Sequence, residues 1–129
     1  MKSLTILILF CLPLISSAQT PWVAPVESKE IKNPFEGQEQ QVLEKGKYYF
    51  DLLCTVCHGE TGKGDGVTLA YLQPKPANLT SKKVQSQTAG EFYWKITTGR
   101  PPMQSYVNVL SPDEMWMVIS YIKSFKSED

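Results

Sequence analysis

The residues whose types and spacing could carry chemistry are Cys54-Thr55-Val56-Cys57-His58. Two thiols three residues apart project from one turn of chain, at a spacing that suits the two vinyl groups on one edge of a haem. His58 follows directly, so its imidazole is expected beneath the ring, where it can bind iron. The pattern C-x-x-C-H therefore predicts one haem c, held covalently through Cys54 and Cys57.

Other uses of a C-x-x-C pair fit this sequence less well. A thioredoxin-like redox site is expected beside a βαβ unit, whereas strand patterns are weak throughout the chain. A structural zinc site normally takes four Cys or His ligands, and His58 is the only histidine. A plain disulfide would explain neither that histidine nor the glycines that follow it.

The first eighteen residues are predicted to be a secretory signal peptide. Lys2 supplies a positive start, an apolar run follows from Leu4 to Ile15, and small residues precede a cleavage point after Ala18. A retained membrane anchor is the alternative, although the run is shorter than the ~20 residues that a span needs. Cleavage would remove Cys11 and leave two cysteines. Export fits haem c, which is attached on the exported side of the membrane.

Composition and charge describe one ordinary globular domain. The chain has 129 residues, of which 42% are hydrophobic and 20% are charged, and its formal net charge is zero. Loss of Lys2 with the signal peptide would leave a slight acidic excess. This balance lacks the basic surplus that accompanies nucleic-acid binding, so no nucleic-acid partner is expected. We expect a monomer.

Residues 19–37 are predicted to form an extended, Pro-rich arm. Pro21, Pro25 and Pro34 lie within it, and the stretch has no helical periodicity. Apolar side chains could pin this arm to the surface of the domain, namely Trp22, Val23, Ile31 and Phe35.

Three helices are predicted from periodicity and capping patterns. The first covers about 39–55. The second follows a capping box that starts at Thr88, and it stops at Gly99. The third has Ser111 as its N-cap and Pro112 at its first position. Its apolar stripe consists of Met115, Val118, Ile119, Ile122 and Phe125.

A long irregular segment separates the first two helices. Glycines and prolines punctuate it from Gly59 to Pro76, with at most a short helix near Val67–Leu72. A structureless stretch of this length is unusual in a compact domain. We therefore expect it to wrap around the bound group.

The second iron ligand is left open by these residues. With no other histidine, the sixth position could be taken by a methionine, by another side chain such as lysine, or left free. Met115 and Met117 fall inside the third helix, where core packing accounts for the first and core or surface filling for the second. Met103 stands in the stiff loop from Gly99 to Tyr106, ahead of that helix.

The chain resembles the class I c-type cytochromes of the small bacterial type over about 39–125. The run from Gly46 to Phe50, followed by Cys54 to Gly59, matches the family's G-x-x-x-[aromatic]-x-x-x-C-x-x-C-H-G pattern. The run from Gly62 to Gly66 matches its glycine-rich loop, and Tyr121-Ile122 matches the end of its last helix. The resemblance implies an all-α fold, with about three main helices and long loops around one haem.

The same resemblance implies where the domain lies and which residues bind iron. Residues 38–129 would form the cytochrome c domain, in which Tyr121 lies against Gly46 where the first and last helices cross. The family places its axial methionine in the loop that holds Met103, so the ligands would be His58 and Met103. A thioether ligand favours Fe(II) and raises the reduction potential.

Residues around the ligands are also implied by the resemblance. The ligating histidine is expected to donate its other ring N–H to a backbone carbonyl, either that of Pro74 or, with a slightly better fit beside Leu79, that of Pro76. Ordinary core packing is the alternative for each aromatic residue. Walls of the pocket or contacts to the haem propionates are expected from Trp94, Arg100 and Tyr106.

The resemblance implies a single-electron carrier rather than an enzyme, located in the bacterial periplasm, in solution or at the membrane surface. Its redox partners would be a respiratory complex, a terminal oxidase or a reductase. Two alternatives stay open: a haem sensor, gas-binding or peroxidatic protein with an open sixth position, or a cytochrome subunit tethered through an uncleaved N-terminus. Lysines of the wrapping segment could steer an acidic partner or simply be solvated, namely Lys63, Lys75, Lys82 and Lys83.

Overall fold

The computed structural model describes residues 20–127. The predicted signal peptide, residues 1–18, lies outside the described residues. Within 20–127 the regular structure is all helical, which confirms the predicted fold class, and no helix there has the length and apolar character to cross a bilayer. Its α-helices are α1 (Glu39–Leu53), α2 (Thr55–His58), α3 (Lys82–Gln85), α4 (Ala89–Thr98) and α5 (Pro112–Lys123), and its 3-10 helices are Val26–Glu30 and Leu69–Tyr71.

Two predicted capping boxes set the beginnings of α4 and α5. The Thr88 hydroxyl accepts a hydrogen bond from the Glu91 N–H at 3.2 Å, and the Glu91 carboxylate accepts one from the Thr88 N–H at 2.7 Å. Ser111 and Glu114 repeat this arrangement at 3.3 and 2.7 Å. Each box satisfies N–H groups that have no partner inside the helix, so both predicted starts are confirmed.

The first helix is shorter than predicted: it ends at Leu53 rather than near residue 55. The backbone opens at Cys54, where φ is −109° and ψ is −32°, and α2 begins at Thr55. The Thr55 hydroxyl donates back to the carbonyl of Asp51 at 2.8 Å, a bond that competes with the regular helical ladder. The attachment segment therefore occupies a helical turn of its own.

The first and last helices cross at Gly46, as predicted. The backbone of Met117 and the Cβ of Tyr121 lie against this glycine. The ring of Phe50 meets that of Tyr121 edge-on at 5.4 Å, and the ring of Phe125 at 5.5 Å. The crossing packs the second half of α1, which leads into the cysteine segment, against the C-terminal half of α5.

The core lies between α1, α4 and α5. The predicted stripe of α5 is buried up to Ile122, while Phe125 is half-buried just beyond the end of the helix. Trp116 was not part of the predicted stripe, yet it is 6% exposed and stacks on Tyr93 with ring centroids 4.2 Å apart. A stacked partner on α4 explains its burial, and helical periodicity alone does not indicate such a contact.

The arm before α1 is only partly extended, since a 3-10 helix interrupts it. Trp22 and Phe35 are half-buried, as expected of pins, but Val23 and Ile31 are 74% and 40% exposed. The 3-10 turn changes which side chains face the domain. The residues buried in their place are Ala24, Ser28 and Asn33.

The wrapping segment contains two short helices. The 3-10 helix Leu69–Tyr71 falls inside the predicted stretch Val67–Leu72. The short helix α3 was not predicted; Ser81 caps it by accepting a hydrogen bond from the N–H of Val84 at 3.4 Å. A single helical turn leaves too little periodicity to be recognised in a sequence.

Candidate haem site

Cys54 and Cys57 are half-buried at the junction of α1 and α2, and no disulfide joins them. Burial raises the pKa of Cys54 to about 12, and the neighbouring Cys57 and Asp51 act in the same direction. Two half-buried thiols three residues apart and not joined to each other are available for thioether bonds to one haem.

The imidazole of His58 is held by one backbone hydrogen bond. Its Nδ1 donates to the carbonyl oxygen of Ala77 at 3.0 Å. Burial lowers the pKa of His58, while the bond to Ala77 acts in the opposite direction. The neutral ring is the form that binds metals, and with Nδ1 engaged its Nε2 keeps the lone pair for iron.

The predicted acceptor for His58, the carbonyl of Pro74 or Pro76, is wrong. The acceptor is the next carbonyl along the chain, that of Ala77. The Pro76 oxygen instead lies against Gly64, where an added Cβ would be 2.6 Å from it. Gly64 also lies close to the Ala77 carbonyl, since the same Cβ would be 3.2 Å from that oxygen.

The glycine-rich loop folds back over the end of α2. The N–H of Gly64 donates to the carbonyl of His58 at 2.8 Å, and the N–H of Gly66 donates to that of Cys57 at 3.1 Å. Carbonyls at a helix end have no partner within the helix, so the loop acts as their cap. Gly66 approaches so closely that a Cβ there would lie 2.6 Å from the Cys57 oxygen.

Thr68 is a site residue that the sequence did not indicate. Its hydroxyl donates to the carbonyl of Val56 at 2.9 Å and lies 3.5 Å from the sulfur of Cys57. A threonine in a loop carries no distinctive pattern. Ala77 was missed for a different reason, because it acts through its backbone carbonyl and any residue type could supply that atom.

The loop that holds Met103 lies beside the attachment segment. Met103 is half-buried and packs against the core. The hydroxyl of Tyr106 donates to the carbonyl of Leu53 at 3.3 Å. Burial raises the pKa of Tyr106, and the nearby thiols of Cys54 and Cys57 raise it further. Tyr106 therefore joins this loop to the end of α1.

Trp94 and Arg100 contact the N-terminal arm. The ring of Trp94 lies 6.3 Å from that of Trp22, at an angle of 58°. The guanidinium of Arg100 lies 5.2 Å from the centroid of Trp22 and donates to the carbonyl of Thr20 at 3.0 Å. The sequence did not indicate these partners, and contact with haem propionates stays a prediction for both.

Among the lysines of the wrapping segment, Lys75 contacts the backbone of that segment. Lys75 donates to the carbonyl of Leu69 at 2.6 Å, which ties the two halves of the segment together. Steering of an acidic partner by these lysines stays a prediction.

The donor set fits haem c. Two thiols lie on adjoining turns, an imidazole has its second nitrogen occupied, and a thioether stands in the neighbouring loop. Among residues 20–127, no group of three or more His, Cys, Asp or Glu side chains could hold a metal ion on its own. These features define an all-α protein that attaches haem through a C-x-x-C-H segment.

Comparison with known families agrees with this class. The family model for cytochrome c matches residues 43–126, which is most of the chain. The chain belongs to the cytochrome c family, and it carries haem c bound covalently through Cys54 and Cys57. No curated protein matches its sequence.

Several solved structures are similar to this chain. A reducing HAO-like protein complex of Kuenenia stuttgartiensis, Kustc0457/Kustc0458, matches with 30% identity and a TM-score of 0.62 over 67% of this chain and 44% of that one. The chain thus spans less than half the length of that relative. Cytochrome cL from Hyphomicrobium denitrificans matches with 20% identity and a TM-score of 0.56, covering 80% of this chain and 64% of that one. Cytochrome cL from Methylophaga aminisulfidivorans matches with 20% identity and a TM-score of 0.55, covering 72% and 60%. The two cytochrome cL likenesses show the fold.

Proposed function

We propose that this cytochrome is a single-electron carrier in which His58 and Met103 are the two axial ligands of the haem iron. When bound, the haem supplies reversible one-electron exchange between Fe(III) and Fe(II). The protein's own part is to hold an imidazole and a thioether on that iron. It is a carrier rather than an enzyme, because two protein ligands leave no open position for a substrate.

The observation that carries the proposal is the hydrogen bond from Tyr106 to the carbonyl of Leu53, at 3.3 Å. Leu53 directly precedes Cys54, so this bond keeps the loop that holds Met103 beside the attachment segment. A hydrogen bond also supports His58 as the other ligand, since its bond to Ala77 holds the imidazole with its Nε2 available. Met/His ligation raises the reduction potential.

Export is part of the proposal. Residues 1–18 act as a signal peptide, residues 19–37 form an arm, and residues 38–129 form the haem domain. Haem c is attached after export, which agrees with a leader before a C-x-x-C-H segment. The mass of the mature protein tests this: cleavage after Ala18 gives a chain that begins at Gln19, whereas a retained leader gives the full-length mass plus haem.

Redox proteins are the proposed partners, and the surface beside the cysteines supports this. Val56, between the two cysteines, is 45% exposed; Val67 and Tyr71 on the following loop are 85% and 87% exposed. Val56 and Val67 line the same surface depression, and neighbouring exposed apolar side chains are typical of interaction surfaces. Encounters in electron transfer bury little area, so a few such residues suffice for a transient contact.

The test is the absorption spectrum and reduction potential of the purified holo-protein. Sharp low-spin bands on reduction and a methionine–iron charge-transfer band on oxidation are expected. Met103→Ala should lose that charge-transfer band, lower the potential and allow carbon monoxide to bind the reduced iron. Met117→Ala is the matched control, because Met117 lies in α5 and should leave band and potential unchanged.

Two results would overturn this function. A high-spin wild-type spectrum that shifts with carbon monoxide would indicate an open site, hence a sensor, a gas-binding protein or a peroxidatic enzyme. A potential unchanged in Met103→Ala would show that another residue is the ligand.

A second candidate function is supported by one comparison. The similar structure from Kuenenia stuttgartiensis is that of a protein complex, and this chain spans only part of it. In this alternative, the chain is the haem-bearing subunit of a larger redox assembly. Sedimentation of the holo-protein isolated from its source separates the two: a carrier sediments as a single chain, and a subunit with its assembly.

A further inference from the structure

The segment from residue 20 to residue 37, which we call the strap, is fastened to the domain at three places. The middle fastening is to Gly90, in the first turn of α4. An added Cβ there would lie 2.0 Å from the carbonyl oxygen of Ser28 and 2.6 Å from that of Ile31. Ser28 is 1% exposed. The strap therefore rests directly on the backbone of α4, at a point where only glycine fits.

The second fastening is a buried polar pair near the end of the strap. The side-chain amide of Asn33 donates to the hydroxyl of Ser120 at 2.9 Å, and its oxygen accepts from the N–H of Phe35 at 2.9 Å. Asn33 and Ser120 are 9% and 3% exposed. Buried polar groups that lose their partners destabilise a fold, so this pair keeps the strap on α5.

The third fastening is at the start of the strap, where Trp22 lies among the aromatic and cationic side chains of α4 and the loop after it. Its ring is 6.3 Å from that of Trp94. The charged groups of Lys95 and Arg100 lie 5.6 and 5.2 Å from its centroid. Both distances are within the range of attraction between a cation and an aromatic face. Arg100 also donates to the carbonyl of Thr20 at 3.0 Å.

Arg100 connects this fastening to Met103. The N–H of Arg100 donates to the carbonyl of Met103, and the N–H of Met103 donates to the carbonyl of Arg100, each at 2.9 Å. The two residues between them are Pro101 and Pro102, whose rings restrict φ. Arg100 and Met103 thus belong to one stiff turn, and a displacement of Arg100 moves Met103 with it.

The other end of the same loop is fastened separately. The N–H of Tyr106 donates to the carbonyl of Ile96 at 3.0 Å, and the hydroxyl of Ser105 donates to that of Thr97. These bonds attach the far side of the loop to α4. The near side follows Gly99, whose N–H donates to the carbonyl of Lys95 at 2.9 Å, and the strap adds a second attachment there through the side chain of Arg100.

We propose that Trp22 is a positioning residue: through Arg100, the strap holds the turn from Arg100 to Met103 in place and so keeps Met103 at its site. The effect on iron ligation rests on the proposed function, in which Met103 is a ligand. The effect on the position of the turn does not depend on that function. Residues preceding the haem domain would thereby control how readily the sixth position opens.

The experiment uses the complete holo-protein with Trp22→Ala. Val23→Ala is the matched control, because Val23 is the next residue of the strap and is 74% exposed. Trp22→Phe keeps an aromatic face and should behave close to wild type. Gly90→Ala displaces the strap at its middle fastening without altering Trp22 or Arg100. If Trp22→Ala does not fold, this variant tests whether the strap holds the turn.

Two rates are measured. The first is the rate at which saturating imidazole replaces the protein ligand on the oxidised iron, which is limited by opening of the loop. The second is amide hydrogen exchange at Arg100 and Met103, followed by NMR in the reduced protein. We expect both rates to rise about tenfold in Trp22→Ala, which corresponds to about 1.4 kcal/mol, and to stay unchanged in Val23→Ala.

The outcomes separate this inference from the proposed function. The proposed role of the strap is wrong if ligand replacement and amide exchange are no faster in Trp22→Ala and Gly90→Ala than in Val23→Ala. If Met103→Ala shows that another residue is the ligand, the proposed function fails, and amide exchange still decides about the strap. Faster amide exchange at Arg100 and Met103 in Trp22→Ala would then still show that the strap holds the turn. Unchanged exchange would refute this.

Discussion

A Cβ atom on Gly46 would lie 2.1 Å from the carbonyl oxygen of Met117. The two helices α1 and α5 therefore touch backbone to backbone at this point. The obstructing atom belongs to the main chain and not to the end of a flexible side chain. Relief of a clash here requires a helix to move, and well-packed interiors resist such movement.

Gly46→Ala should accordingly lower the free energy of unfolding by about 1–3 kcal/mol, the usual cost of overpacking. The loss is expected although alanine is favoured over glycine by about 1 kcal/mol inside a helix. Denaturant unfolding of the holo-protein, followed by circular dichroism, measures it. Lys45→Ala, at the exposed neighbouring position, should change stability little. A more stable Gly46→Ala protein would contradict the observed crossing.

Gly64 offers a second test of close approach. Its φ is +79°, and a Cβ would lie 2.6 Å from the Pro76 oxygen, beside the carbonyl that receives the His58 hydrogen bond. Gly37 has nearly the same φ, +81°, but nothing within 4 Å of an added Cβ. Both alanine variants suffer the unfavourable left-handed backbone.

Gly64→Ala should therefore cost about 1–3 kcal/mol more than Gly37→Ala, because only the former also clashes. Parallel thermal and denaturant unfolding of the two holo-proteins gives the difference. Equal losses would mean that the loop can shift away from the segment that holds His58.

Removal of both thiols, Cys54→Ala with Cys57→Ala, should abolish covalent haem and largely prevent folding, since a group that binds only the folded chain stabilises it. Haem staining after denaturing electrophoresis and the mass of the intact protein detect the loss. Val56→Ala alters the exposed residue between the two cysteines and should retain the haem. Haem that stays on the double variant through denaturation would disprove attachment at these residues.

The pair formed by Tyr49 and Glu114 makes stability depend on pH. The Tyr49 hydroxyl donates to the Glu114 carboxylate at 2.6 Å, and this bond is the main reason that the pKa of Glu114 lies below its ordinary value of 4.5; bonds from Ser111 add to it. A carboxyl whose folded pKa is lowered stabilises the fold above its unfolded pKa. That contribution is lost as the pH falls through the folded pKa.

Tyr49→Phe should weaken this dependence without removing it, because the bonds from Ser111 remain. Urea unfolding at a series of values between about pH 6 and pH 3 should show a shallower loss of stability on acidification than in wild type. Tyr48→Phe serves as the control, since Tyr48 is the neighbouring tyrosine and is 63% exposed. An identical acid profile for Tyr49→Phe and wild type would show that the bond does not act on Glu114.

Local patterns predicted much of this molecule because their causes are local. The capping boxes at Thr88 and Ser111 act within one helical turn, so their residue types suffice to place the helix starts. The haem attachment through Cys54 and Cys57 depends on the spacing of two thiols along the chain. The break after Leu53 was missed, because it results from competition between a helix and the turn that follows it.

The amino-acid sequence by itself thus determined the haem attachment at the cysteine segment. It also determined the main helices that position this segment. Only the tertiary structure decided which carbonyl receives the His58 hydrogen bond, and that Arg100 faces Trp22 across 78 residues of chain. Ala77 contributes a backbone atom that every residue has, so no pattern of residue types reveals it. Trp22 and Arg100 meet because the strap, α4 and the Met103 loop pack together, and such long-range contacts arise from folding of the whole chain.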